Sequence, residues 1–151
     1  SVVLSNLLIF IVSILVILPF FIIKNCSVIN YVAILPFATI FLAAFTIGIS
    51  LVLASTNVYF RDVHHFFSTA LTFWFWITPV FYSTEMVPEK FRGICLANPM
   101  TLYTNIYRAI LFDARLPRFS EFILAFTVSI VTLIIGGYIF TILEPNLSKR
   151  L

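Results

Sequence analysis

Charge is scarce in this sequence. Asp, Glu, Lys and Arg together supply 10% of 151 residues, against about 25% in soluble domains. With 62% hydrophobic residues and a mean hydropathy of +1.11, water is excluded as the main solvent. The net charge of +3 is small and dispersed, which excludes a nucleic-acid footprint. Cysteine is nearly absent. Cys26 and Cys95 are too few for a disulfide framework, and neither stands in a CxxC or Cys/His cluster, so both read as buried free thiols. No GxxxxGK[ST] phosphate loop, HExxH or GxSxG occurs, so the chain holds no ordinary ATPase, zincin or serine hydrolase site. No basic segment or cleavage site precedes the apolar stretch that follows Ser1, and the chain reads as a fragment.

Long uncharged runs dominate what is present. They predict membrane spans at about 2–23, 31–54, 66–84 and 119–143, each near the 20 residues that cross a bilayer core. The expected fold is therefore all-α, a polytopic transmembrane bundle. Lys24 to Asn30 is a short connector that makes a tight hairpin of the first two spans. In the second connector, 57–67, Asn57, Arg61, Asp62, His64 and His65 share one helical arc. Tyr59, Phe60, Val63, Phe66 and Phe67 share the opposite one, and only Val58 is misplaced. That pattern predicts an amphipathic helix at the membrane surface. His64 and His65 are adjacent and so diverge on a helix, which makes a poor metal site.

The third connector predicts two helices too short to span, one from Pro88 to about Ala97 and one from Asn98 to about Phe112. Asn98 serves as N-cap and Pro99 as first-turn residue of the second. Paired half-length helices joined by an Asn-Pro turn suit a re-entrant hairpin at 88–112, with a surface-lying pair as the alternative. Within it, Thr101, Thr104, Asn105 and Arg108 stack at i, i+3, i+4 and i+7. Such a stripe faces protein or a watery path, unless Arg108 snorkels to headgroups or pairs with Asp113. Trp74 and Trp76 lie too near mid-span for an interfacial belt, leaving helix packing or the lining of a path. Small residues at helical spacing, Ala44 with Gly48, Ser50 with Ala54, Thr132 with Gly136 and Gly137 with Thr141, permit close helix contacts.

The connectors carry a resemblance. NVYFRDVHHF at 57–66, WITPVFYSTEMVPEKFR at 76–92, NPMTLYTNIYRAIL at 98–111 and EPNLSKRL at the end resemble, in order and spacing, the ABC-2-type permeases that export O-antigen, capsule or teichoic acid. The chain would hold the later four of that family's six spans, without the amphipathic N-terminal segment and the first two. Asn146 and Leu147 stand where relatives often carry an aromatic after the Glu-Pro pair. The resemblance implies that 57–67 is cytoplasmic and seats on an ABC ATPase subunit through Tyr59, Arg61, Asp62, His64 and His65. It implies that 88–112 is an outer gate. Trp74, Trp76, Tyr82, Asn98, Pro99, Thr101, Thr104, Asn105 and Arg108 would then line the path or the gate. Two permease copies would form a homodimer in the bacterial inner membrane, with ATP and Mg bound by the partner subunit and no cofactor in this chain. The substrate would be a glycan, often on a lipid carrier.

On that orientation Lys24, Lys90, Arg92, Arg108, Arg115 and Arg118 lie outside, against Arg61, Lys149 and Arg150 inside. The positive-inside rule alone gives the reverse. Alternatives are an ABC-2 permease for a drug or lipid, a membrane-embedded transferase acting on lipid-linked sugars, and a non-catalytic scaffold. The transferase would need a carboxylate, His or Lys within a span, and no span has one at its centre.

Overall fold

The computed structural model describes residues 2–59, 63–80 and 86–147, with side chains at 2–56, 67–80 and 86–142. Six α-helices follow in order: α1 Val2–Lys24, α2 Leu35–Tyr59, α3 Val63–Ile77, α4 Glu89–Ala97, α5 Pro99–Leu111 and α6 Phe119–Leu147. No strand occurs among the described residues, as an all-α membrane bundle requires. Among the described residues three helices, α1, α2 and α6, are long and apolar enough to cross a membrane. Their polar side chains do not interrupt them, because hydroxyls fold back on their own backbone. Thr46, Ser50, Ser55 and Thr56 in α2 donate to the carbonyls four residues earlier at 2.7–2.8 Å.

The boundaries depart from the sequence reading in informative places. The apolar segment Val32–Thr56 matches the expected second span, but its α-helix starts only at Leu35, because Cys26–Asn30 and Val32–Ile34 form two 3₁₀ turns before α2. The Asn25 side chain caps the first of them by accepting from Ser27 N at 3.1 Å. Periodicity counts hydrophobic residues and does not separate a tight turn from a helix. Of the stretch 57–67, 57–59 close α2 and 63–67 open α3, while 60–62 lie outside the described residues. Helix α3 has 15 residues, about 22 Å, and stops at Ile77 although the apolar run continues. Pro79 disfavours helical backbone at Thr78 and supplies no N–H to carry the ladder on.

The core lies where α5 meets α2 and α6. Leu35, Ala38, Phe45, Tyr103, Ile106, Ile110 and Ala125 form one buried cluster. Helices α2 and α6 touch backbone to backbone: a Cβ on Gly48 would sit 2.5 Å from the carbonyl carbon and oxygen of Thr132, and one on Gly136 would strike Gly48 O. Phe41 stacks edge-on against Phe122 and Phe126 at 5.0 and 5.4 Å. By contrast α1 buries none of its residues and leaves an apolar surface suited to hydrocarbon.

Candidate functional site

The stretch 88–112 forms two short helices near the predicted bounds. Its helices have 9 and 13 residues, about 14 and 20 Å, and neither spans a hydrocarbon core of about 30 Å. Asn98 sits extended between them (φ −75°, ψ 117°) with Pro99 in the first turn of α5. Its Oδ1 accepts from Met100 N at 3.0 Å, the N-cap bond that the Asn-Pro pair predicts.

Asn98 also does more than cap. The same Oδ1 accepts from Trp74 Nε1 at 2.9 Å, and its Nδ2 donates to Thr78 Oγ1 at 2.8 Å. Thr78 in turn donates to Trp74 O at 2.8 Å. A ring of three side chains therefore ties the end of α3 to the turn of the hairpin. The Cys95 thiol, buried, reaches Ile77 O at 3.6 Å.

Helix α5 has two different faces. At 100° per residue Tyr103, Ile106 and Ile110 share one side, and Thr101, Thr104, Asn105 and Arg108 the other. The first side is sealed in the core and clamped at two tyrosines. Tyr107 OH lies 2.9 Å from Thr39 Oγ1, whose own hydrogen goes to Leu35 O, so the tyrosine donates. Tyr103 OH lies 2.7 Å from Ser129 Oγ, which bonds Phe41 O and Ala125 O at 2.7 and 2.6 Å. One buried hydroxyl thus joins α5, α6 and α2.

On the stripe, Thr101 is 1% exposed, and its Oγ1 has no hydrogen-bond partner among the described residues. Thr104 turns its hydroxyl back to Met100 O and Thr101 O. Asn105 and Arg108 are partly buried, and Arg108 Nη2 donates to Val80 O at 3.3 Å. Asp113 is paired with Arg115 at 3.1 Å. Of the tryptophans, Trp76 is 69% exposed, whereas the polar edge of Trp74 is engaged by Asn98. Arg61, Asp62 and Tyr82 lie outside the described residues, as do the side chains of Tyr59, His64 and His65.

Sequence reasoning passed over Tyr103, Tyr107, Thr78 and Ser129. Two tyrosines four residues apart on an Ile/Ala face were the available signal, because a phenol in an apolar core needs a partner. The partners Thr39 and Ser129 are distant in sequence, and only the fold identifies them.

With this geometry in place, the comparisons are specific. The pattern of the ABC-2 type transporter family matches residues 1–112. The O-antigen export system permease protein RfbA of Myxococcus xanthus is 36% identical over 112 residues, which are 73% of this chain and 43% of the relative. Two O-antigen export system permease proteins RfbA from Klebsiella pneumoniae are each 32% identical over 117 residues, 78% of this chain and 45% of theirs. The chain spans less than half the length of these curated relatives. No solved structure matches it.

Proposed function

Because this multi-pass membrane chain belongs to the ABC-2 type transporter family, we propose that it is part of the permease subunit of an exporter carrying a polysaccharide-type glycan across the bacterial cytoplasmic membrane. The observation that carries the reading is the 32–36% identity to O-antigen export permeases. It extends over 112–117 residues, about three quarters of the chain. ATP and Mg belong to a separate ATPase subunit, two permease copies work together, and the glycan passes between them.

In this reading the hairpin closes the outer end of the path. Its α5 arm supports that role: one face is fixed in protein, and Thr104, Asn105 and Arg108 occupy the other, where hydrophilic cargo is tolerated and hydrocarbon is not, while Thr101 on the same stripe is buried. Trp76 lines the path with its ring, and Trp74 acts through Asn98. On the inner side, Tyr59, Arg61, Asp62, His64 and His65 engage the ATPase.

The full-length permease, co-expressed with its ATPase, tests the proposal. A stable complex whose ATPase rate responds to lipid-linked glycan, and which restores export to a permease-deficient strain, is the expected result. Absence of both complex and export rejects the proposal. Arg61→Glu is expected to weaken ATPase association while membrane insertion persists, and unchanged coupling in both Arg61→Glu and Asp62→Lys would remove the inner-side role.

A further inference from the structure

The hairpin is held in two very different ways. Helix α5 is fixed: five of its residues are buried, and Tyr103 and Tyr107 clamp it to α6 and α2. Helix α4 buries only Cys95, and it meets α3 across a loosely filled seam. Open apolar grooves of about 550 and 540 Å³ lie along that seam, the first lined by Phe73, Ile77, Ile94 and Pro99, the second by Trp76, Val87, Phe91 and Ile94. Settled protein interiors are close-packed, and this seam is not. Across this seam run the contacts of Asn98 to Trp74 and Thr78 at 2.9 and 2.8 Å, with longer ones of 3.3 Å for Arg108 to Val80 and 3.6 Å for Cys95 to Ile77.

Those contacts are also easily given up. If α3 withdraws, Asn98 Oδ1 keeps Met100 N and the cap of α5 survives. Thr78 Oγ1 keeps Trp74 O. Trp74 Nε1 and Asn98 Nδ2 lose a partner, as do the Cys95 thiol and Arg108 Nη2, and all four are donors that a water-filled path would satisfy. These donors have access to water when the seam parts, so few polar groups would be stranded there.

We propose that Asn98, Trp74 and Thr78 form a latch holding the end of α3 against the hairpin turn in the closed gate, and that opening swings α3 away from a stationary α5. This rests on the reading of the hairpin as an outer gate, and it divides that hairpin into a fixed arm and a seam that opens. Cys95, buried with its thiol against the backbone of α3, is exposed by that motion and reports it.

The test uses the full-length permease with its ATPase in intact cells or oriented vesicles. Cys26→Ser is introduced and cysteines elsewhere are replaced, so that an impermeant thiol reagent applied outside reads Cys95. Labelling is expected to be slow at rest and faster during ATP turnover. Trp74→Phe, which keeps the ring and removes the donor, and Thr78→Val, which keeps the shape and removes the hydroxyl, are each expected to raise the resting rate about five-fold, the population change of one hydrogen bond of ordinary net strength. Thr78→Ser restores the slow rate. A control cysteine, Ile110→Cys, lies in the α5 core where Ile110 is 0% exposed and stays unlabelled throughout. Resting rates unchanged in Trp74→Phe and Thr78→Val, while ATP still accelerates labelling, overturn the latch and leave the gate. Labelling of the control in step with Cys95 means general loosening and also overturns the latch. Cys95 labelling indifferent to ATP and to every variant overturns the gate reading itself.

Discussion

Gly48 and Gly136 decide how closely α2 and α6 approach. A Cβ at either would meet backbone atoms of the facing helix, which cannot swing aside as a flexible side chain does. Gly48→Ala and Gly136→Ala are each expected to destabilise the chain by about 1–3 kcal/mol, the usual range for overpacking. Gly137 has nothing within 4 Å of its added Cβ, and Gly137→Ala is expected to stabilise by about 0.5–1 kcal/mol through the lost backbone freedom of glycine. Reversible unfolding in mixed detergent distinguishes the three, and equal effects at 136 and 137 would contradict the packing. Tyr103→Phe is a subtler change. Ser129 keeps its bonds to Phe41 O and Ala125 O, so no buried group is stranded, and the same assay is expected to read about 1 kcal/mol.

Helix α5 is an element defined by its two ends. At the start, Asn98 joins capping to the α3 contact, so Asn98→Ala removes an N-cap and leaves Trp74 Nε1 without its acceptor. The expected cost is about 2–3 kcal/mol, with Asn98→Asp smaller because both bonds to Oδ1 remain possible. At the far end Ala114 adopts φ 46°, which lets Arg115 N reach Ala109 O at 2.9 Å. A left-handed conformation costs an L-residue about 1–2 kcal/mol. Ala114→Gly is therefore expected to raise stability by up to about 1 kcal/mol in the unfolding assay, glycine's greater unfolded-chain freedom offsetting part of the relief. A loss of stability there would show that the Ala114 methyl has a packing role.

For the molecule as a whole, the largest surface is the apolar one. Residues along α1, α3 and α6, from Leu8 and Phe20 to Phe73 and Ile134, are exposed. Contiguous exposure of this kind suits lipid and neighbouring helices, and it would aggregate in water. Which way the bundle stands in the membrane is set by the charges of the connectors. The segments that hold Cys26 and Cys95 flank α2 and α3, and the family orientation puts both on the outer side as an expectation. On the family orientation Cys26, which is exposed, is expected to react with an impermeant reagent applied outside, while Cys95 resists it at rest. Reaction of Cys26 only from the cytoplasmic face would invert the bundle and bear out the positive-inside count.

Long uncharged runs specify helices in a membrane without help from tertiary contacts, since every backbone polar group there must be satisfied within its own segment. For the same reason the Asn98-Pro99 turn, the two short arms and the close approach at Gly48 and Gly136 were legible in the sequence: each is a local device written in consecutive or helically spaced residues. The Gly137 and Thr141 pair, by contrast, makes no such contact at Gly137. Where α3 stops was legible in principle from Pro79, but the apolar run continuing past it outweighed that one residue. Which face of α5 is buried, and that Tyr103 and Tyr107 fasten it, was decided only by the fold. The tyrosines' partners are 26 and 68 positions away, and no periodicity within one helix encodes a contact made across three. Asn98 joins both kinds of information. Its cap to Met100 is two residues long, whereas its hold on Trp74 and Thr78 exists only because packing places the end of α3 beside the turn.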